Sequence, residues 1–246
     1  MQEFLQELLQ FRKKIIKSLI DIKLTQYNPN YYHETIVPNA TYSPWKTHPE
    51  FQEVFAVASQ RTLIDIYRAY NLWDLVTQTN QLEGDILEVG VWRGGTACII
   101  TRASKGRGTV YLADTFEGVV KTGANDSFYK GGEHADASEE DVRAGLDGLG
   151  VKNYHILKGI FPDDYSTKVQ DLKFRFCHID VDVYQSALDV FEYVWPRLAI
   201  GGAVVFDDYG FLRCEGVTKL IDEMTLTNGI KMYNLNGQAV IIKHSA

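Results

Sequence analysis

From residue 84 onward the chain alternates short apolar runs with segments of helical period, and this alternation constrains its fold more than any other feature. Asp85-Ile-Leu-Glu-Val89, Thr109-Val-Tyr-Leu-Ala113, Tyr154-His-Ile-Leu157, Phe174 to Ile179 and Ala203-Val-Val-Phe206 read as strands. Between them, helices are predicted from the glycine-rich turn at residues 90–95 to about Ala103, from Ser138-Glu-Glu-Asp141 to a stop at Gly150, and from about Gln185 to Leu198. Strands linked by helices imply a parallel, doubly wound α/β sheet. The ending differs, because Ile230 to Leu235 and Ala239 to Lys243 flank Asn236-Gly237, a type I′ hairpin signal. The expected sheet therefore has seven mostly parallel strands and closes with an antiparallel hairpin.

Upstream, Phe4, Leu8, Phe11, Ile15, Leu19 and Ile22 recur at three- and four-residue spacing between Arg12, Lys13, Lys14 and Lys17. They predict an amphipathic helix over 3–24, able to pack on its own domain, on a second subunit or at a membrane surface. Residues 26–46 hold three of the six prolines and little periodicity, which reads as a long loop or lid. Thr47-His-Pro-Glu50 has the form of a capping box opening a helix through Ala58, and a second helix is expected at about Arg61 to Gln78. The chain thus divides into an N-terminal region of helices and lid, 1–60, and a sheet domain, 61–246.

With 25 Lys and Arg against 32 Asp and Glu, the formal charge of −7 argues against a nucleic-acid partner, which needs clustered cations. Cys98, Cys177 and Cys214 form no CxxC pair and leave an odd count, so a reducing, cytoplasmic setting is expected. Runs such as Ile200 to Phe206 fall short of the roughly 20 residues that cross a bilayer. The opening Met1-Gln-Glu-Phe lacks the basic start of a signal peptide.

In open α/β sheets ligands bind beyond the carboxyl ends of the strands. Here those positions carry Glu88, Asp114, Asp180, Asp182, Asp207 and Asp208. Each alone could cap a helix or start a turn, but six at one edge point to a site. The turn Glu88-Val-Gly-Val-Trp-Arg-Gly-Gly95 brings backbone close to a ligand, yet places Trp92 where a dinucleotide fingerprint needs its second glycine. Glu88 would repel phosphates and suit an ammonium or sulfonium group. S-adenosylmethionine has both, and Asp114 is placed to accept from its ribose hydroxyls. The Glu-x-Gly turn, the acid after strand two and the terminal hairpin together point to a Rossmann-like, class I methyltransferase.

Consecutive parallel strands joined by one helix are usually neighbours, which sets Asp180 beside Asp207, with Asp208 close by. Three carboxylates so placed repel one another unless a cation neutralises them. An all-oxygen set without Cys or His points to Mg²⁺.

Five segments then show a family likeness. Glu88-Val-Gly-Val-Trp-Arg-Gly-Gly95, Ala113-Asp-Thr-Phe-Glu-Gly118, Lys158-Gly-Ile-Phe-Pro162, Ile179-Asp-Val-Asp-Val-Tyr184 and Phe206-Asp-Asp-Tyr-Gly210 resemble the macrocin/mycinamicin sugar O-methyltransferase family, with which the novobiocin-pathway enzyme groups. The resemblance covers about residues 42–243 and leaves the first helix outside. It implies a Mg²⁺-dependent enzyme that methylates a sugar hydroxyl of a glycoside or saccharide, and a homo-oligomer. It implies Asp180, Asp207 and Asp208 as metal ligands and Asp182 as base. Gly90, Val91, Trp92, Arg93, Gly94, Thr115, Phe116, Gly159, Ile160, Phe161 and Asp180 would then lie at the cofactor, and Tyr184 and Tyr209 on the acceptor side. Members more often carry Asp-Gly-Asp, so Val181 would narrow the acceptor floor.

Other roles stay open. His134 in Gly131-Gly-Glu-His-Ala-Asp136 is a second candidate base or an exposed loop residue. Ser138 can contact the adenine side or only cap its helix, and Ser59 and Arg61 can reach the methionine end. Tyr42, Trp45 and Tyr129 can stack on a sugar or pack in the fold. Rival functions are catechol or phenol methylation, a DxD glycosyltransferase built on Asp180 and Asp182, and a non-catalytic methyltransferase-like scaffold.

Overall fold

A computed structural model of the chain describes residues 2–24, 40–165 and 169–246. In the unit Met1–Ser43, the predicted amphipathic segment forms α1 (Gln2–Leu24). Residues 25–39, most of the expected loop or lid, lie outside the described residues.

In the unit Pro44–Ala246, two helices precede the sheet. α2 (Pro49–Ala58) has proline in its first turn, but its cap is His48 and not Thr47, the imidazole Nδ1 accepting from the Phe51 N–H at 3.3 Å. α3 (Ile66–Thr79) starts later than the periodicity suggests, because the Asp65 carboxylate caps it by accepting from the Tyr67 and Arg68 N–H groups.

The sheet then follows as β1 (Asp85–Val89), α4 (Gly95–Ala103), β2 (Val110–Asp114), α5 (Glu139–Gly148), β3 (Tyr154–Lys158), β4 (Phe174–Ile179), α6 (Tyr184–Val194), β5 (Leu198–Phe206), α7 (Glu215–Glu223), β6 (Gly229–Asn234) and β7 (Gln238–Lys243). Its seven strands run in the order β3-β2-β1-β4-β5-β7-β6. The first five are parallel and β7 is antiparallel to both its neighbours. Ser138 and Asp141 form the expected capping box of α5. α6 stops at Val194, short of Leu198, and Pro196 sits in the single turn that follows. The closing hairpin is not a two-residue turn: Asn234 pairs with Gln238 across three residues, with Gly237 alone at positive φ. α7 is a further helix, burying Val217, Leu220 and Ile221 at helical spacing.

Alternate strand residues feed two cores. Ile86, Phe176, Val205 and Val240 face the side covered by α2, α3, α4 and α5, while Leu87, Cys177, Val204, Phe206 and Ile241 face α6 and α7. Strand order reverses between β1 and β4, which opens a crevice at their carboxyl ends. Gly90 makes that crevice tight: at φ +88°, a Cβ there would lie 1.6 Å from the Asp180 carbonyl oxygen. Among the described residues, no helix is long and apolar enough to cross a membrane. The three cysteines are buried and unpaired.

Candidate active site

A cavity of about 500 Å³ occupies the crevice. On its β1–β2 side, Gly90, Val91, Trp92, Asp114 and Thr115 form the wall, and Gly159, Ile160 and Phe161 continue it beyond β3. The Asp114 carboxylate organises this side: Oδ2 accepts from the Val91 and Trp92 N–H groups at 2.7 and 2.8 Å, and Oδ1 from the Phe116 N–H at 2.7 Å. Trp92 and Phe116 both hold positive φ, a conformation that bulky residues adopt only when their surroundings impose it. Asp136 clamps the turn from outside, accepting from the Trp92 indole at 2.8 Å and pairing with Arg93 at 2.6 Å. Arg61 lines the cavity while donating to the Asp141 carbonyl at 2.7 Å.

The β4–β5 side holds Asp180, Asp182, Asp207 and Asp208. Oxygens of Asp180, Asp207 and Asp208 lie within 4.8 Å of one another. Their compensation differs sharply. Asp207 is buried and satisfied: it accepts from Gln238 Nε2 at 2.8 Å and is paired with Arg68, whose Nε also bonds Asp65 at 2.9 Å. Burial would raise its carboxyl, but His178, Arg68 and Gln238 outweigh that and hold it below the ordinary range. For Asp180 and Asp208, desolvation and the neighbouring carboxylates push the carboxyls well above that range against weaker relief from Arg68 and, for Asp180, from His178. A partly buried, all-oxygen, under-compensated set fits a hard divalent cation.

Beneath them, Glu88 does not reach the cavity wall. It is fully buried and paired in register with His178 on β4, whose Nδ1 lies 3.0 Å from Glu88 Oε1. Among the described residues His178 Nε2 meets no hydrogen-bond partner, and it lies 3.8 Å from Asp207 Oδ1. Burial would lower this imidazole, but the two acids outweigh it and raise it to about 10, so the ring is a buried cation between carboxylates.

Asp182 sits at φ +63° and Asp208 at φ +67°, so both strand-end acids are held in left-handed backbone, where Asp is among the least strained residues. Burial raises the Asp182 carboxyl, offset by the Tyr129 hydroxyl and by His134. Tyr129 is buried, and burial together with Asp182 keeps its phenol protonated. The Cys214 thiol lies 3.9 Å from Asp182 Oδ1, and burial and Asp208 push it upward. His134 lines the cavity with its ring 6.1 Å from that of Tyr129 and 6.2 Å from that of Trp92. Val181 also lines it.

Other expected site residues of the second unit stand apart from the lining. Ser59 is the exposed C-cap of α2, Gly94 is the N-cap of α4, and Ser138 is the N-cap of α5. Trp45 packs edge-on against Tyr67 at 4.9 Å. Tyr184 opens α6 with its hydroxyl 3.4 Å from Glu223, and Tyr209 donates to Asp222 at 2.8 Å while stacking on Tyr233. Tyr42 is exposed and belongs to the first unit. Arg68, His178 and Gln238 are site residues absent from the sequence reading. The histidine inside the Phe174–Ile179 run is visible as a residue type, but its partner is fixed only by the register of β1 and β4.

Comparison with known proteins agrees with this fold. The sequence model described as Macrocin-O-methyltransferase (TylF) matches residues 54–242. Demethyldecarbamoylnovobiocin O-methyltransferase of Streptomyces niveus is 32% identical over 182 residues, 68% of each chain. The 8-demethyl-8-(2,3-dimethoxy-alpha-L-rhamnosyl)-tetracenomycin-C 4'-O-methyltransferase of Streptomyces olivaceus is 30% identical over 169 residues, 63% of this chain and 64% of the relative. The solved structure of the O-methyltransferase NovP superposes with a TM-score of 0.62 at 25% identity, covering 75% of this chain and 83% of that one.

Proposed function

The chain belongs to the macrocin O-methyltransferase family, and from that membership we propose that it methylates a sugar hydroxyl of a glycosylated natural product with Mg²⁺ at the Asp180, Asp207 and Asp208 cluster. It is an S-adenosylmethionine-dependent O-methyltransferase. The sugar acceptor is supported by the relative named for a rhamnosyl substrate. The metal is supported by one observation above all: Asp180 and Asp208 face the cavity as carboxylates for which the surrounding side chains supply too little positive charge.

S-adenosylmethionine supplies the electrophilic methyl group. The glycine turn held by Asp114 is the surface for that donor, since its backbone approaches a ligand without side-chain obstruction at Gly90. A divalent cation at Asp180, Asp207 and Asp208 would supply Lewis acidity that lowers the pKa of a nearby hydroxyl. Asp182 takes the proton from the acceptor oxygen: its carboxyl is raised toward the range in which a base works best, and the Tyr129 hydroxyl orients it. His134 faces the same cavity and is the alternative acceptor of that proton. Val181 narrows the floor below the acceptor.

Mass spectrometry of products from a panel of glycosides tests this reading. Incubated with S-adenosylmethionine and Mg²⁺, one glycoside should gain one methyl on a sugar fragment, and chelator-stripped enzyme should lose the activity until Mg²⁺ returns. Undiminished turnover after stripping would sink the metal assignment, and methylation confined to a phenolic aglycone would sink the sugar.

A further inference from the structure

Among the described residues three arginines line the cavity, and two of them are engaged. Arg61 donates to the Asp141 carbonyl, and Arg68 is held by Asp65 and Asp207. Arg213 makes no hydrogen bond or ion pair with any described residue, and its guanidinium carbon lies 4.3 Å from the Phe128 ring centroid.

That placement is built from two loops. Phe128 comes from the connection between β2 and α5, Arg213 from the loop after β5, and the Ser127 hydroxyl ties the two by donating to Glu215 at 3.0 Å. Glu215 is the acid nearest to Arg213 in the sequence, yet it engages Ser127 and forms no ion pair with the arginine. A ring face steadies a guanidinium through its charge and leaves the N–H edges free, and those edges match a carboxylate or phosphate in a two-bond fork. The pair also stands next to the chemistry. The Phe128 ring meets that of Tyr129 edge-on at 5.3 Å, and the Tyr129 hydroxyl bonds Asp182. Phe211, from the same loop as Arg213, lines the cavity as well and is fixed from two directions: the Arg68 guanidinium lies 4.8 Å from its centroid, and a Cβ at Gly237 would fall 2.0 Å from the ring.

Resting on the sugar O-methyltransferase reading above, we propose that Arg213 determines specificity and that the acceptor carries an oxyanion, a sugar carboxylate or a sugar phosphate, which this guanidinium receives in a forked pair. Charge in the cavity permits such a group. Alone, Asp180, Asp182, Asp207 and Asp208 would repel it, but Arg68, a divalent cation and the cofactor sulfonium together balance those four charges. The oxyanion then reaches Arg213 without net repulsion from the acids beneath. An acceptor lacking it forgoes a lining cation that no described side chain has claimed.

The test uses the full-length protein with Mg²⁺ and S-adenosylhomocysteine and reads binding by titration calorimetry. The probes are nitrophenyl hexuronides and hexosides of the gluco, galacto and manno series, with UDP-glucose as the phosphate source. In at least one series the hexuronide should bind at least roughly tenfold more tightly than the hexoside, about 1.4 kcal/mol. Arg213→Gln should cut that ratio to within about twofold without moving the thermal midpoint, and Arg213→Lys should restore part of it, since an ammonium keeps the charge and loses the fork. UDP-glucose binding that Arg213→Gln weakens at least roughly tenfold, with no hexuronide preference, assigns the oxyanion to phosphate and upholds the proposal. A hexuronide preference that survives in Arg213→Gln places the anion on the metal and overturns it. So does the absence of any preference together with UDP-glucose binding that is undetectable or indifferent to the change. Hexosides methylated as fast as hexuronides, by wild type and Arg213→Gln alike, would keep the sugar methyltransferase reading and sink this inference. Methylation of no sugar, with the Arg213-dependent binding ratio intact, would leave the oxyanion site standing and remove the reading.

Discussion

Acids stand at the ends of β1 and β2 and again after β4 and β5, and the two groups look alike in the sequence while behaving oppositely in the fold. On the first side each acid has a partner of its own. Glu88 is matched by the His178 imidazolium, and Asp114 by three backbone N–H groups. On the second side only Asp207 is answered, by the far edge of the same imidazolium, Arg68 and Gln238, whereas Asp180 and Asp208 stay raised by burial and mutual repulsion. A strand-end acid is therefore not in itself a ligand. What marks a cation site is the charge left over after the protein's own donors are counted.

Neutralising one acid on each side should move stability in opposite directions. Glu88→Gln strips a buried imidazolium of its hydrogen-bonded counter-charge and should cost about 3 kcal/mol in urea unfolding, the low end for breaking a buried pair. A loss below about 1 kcal/mol would mean that Asp207 alone can hold the imidazolium. Asp208→Asn should do the reverse. Asn tolerates the left-handed backbone at this position as Asp does, and removing one of several repelling charges should stabilise the metal-free protein by about 1–2 kcal/mol. The same variant should lose most of the rise in melting temperature that Mg²⁺ gives the wild type. A metal-free variant that melts lower than wild type would erase the distinction between the two sides.

The periodicities made the sheet legible, and the strand-end rule located the acids. The seven strands, the antiparallel ending and the clustering of Asp180, Asp207 and Asp208 all follow from alternation and neighbour order. What the sequence could not show was pairing across elements distant in the chain. Glu88 meets His178 only because β1 and β4 lie in one particular register, 90 residues apart, and an apolar strand interior conceals the histidine. Arg68 enters from a helix that precedes the first strand, and Gln238 from the last strand, held by Asn71 at 2.9 Å. α7 escaped notice because Cys214 offers it no side-chain cap and its apolar face is short. Trp92 and Phe116 are conspicuous residues, but nothing in their types announces positive φ.

Arg68 gives the finest test, because it lends the second side a fixed positive charge beside the His178 imidazolium. Its guanidinium is held by the Asp65 carboxylate at the start of α3, lies 4.8 Å from the Phe211 ring centroid and pairs with Asp207. A fixed positive charge there keeps the metal-free site folded and also opposes an incoming cation. Arg68→Gln keeps an amide donor near Asp207 but removes the charge. Two effects should then separate: the metal-free protein should melt lower, and calorimetry should show Mg²⁺ binding tighter by at least about fivefold, about 1 kcal/mol, the repulsion of two unit charges about 4 Å apart in bulk water. Weaker binding in the variant would mean that Arg68 acts chiefly by orienting Asp207 as a ligand. The positive charge would then be incidental to the cation site, and the difference between its two sides would lie in geometry more than in charge.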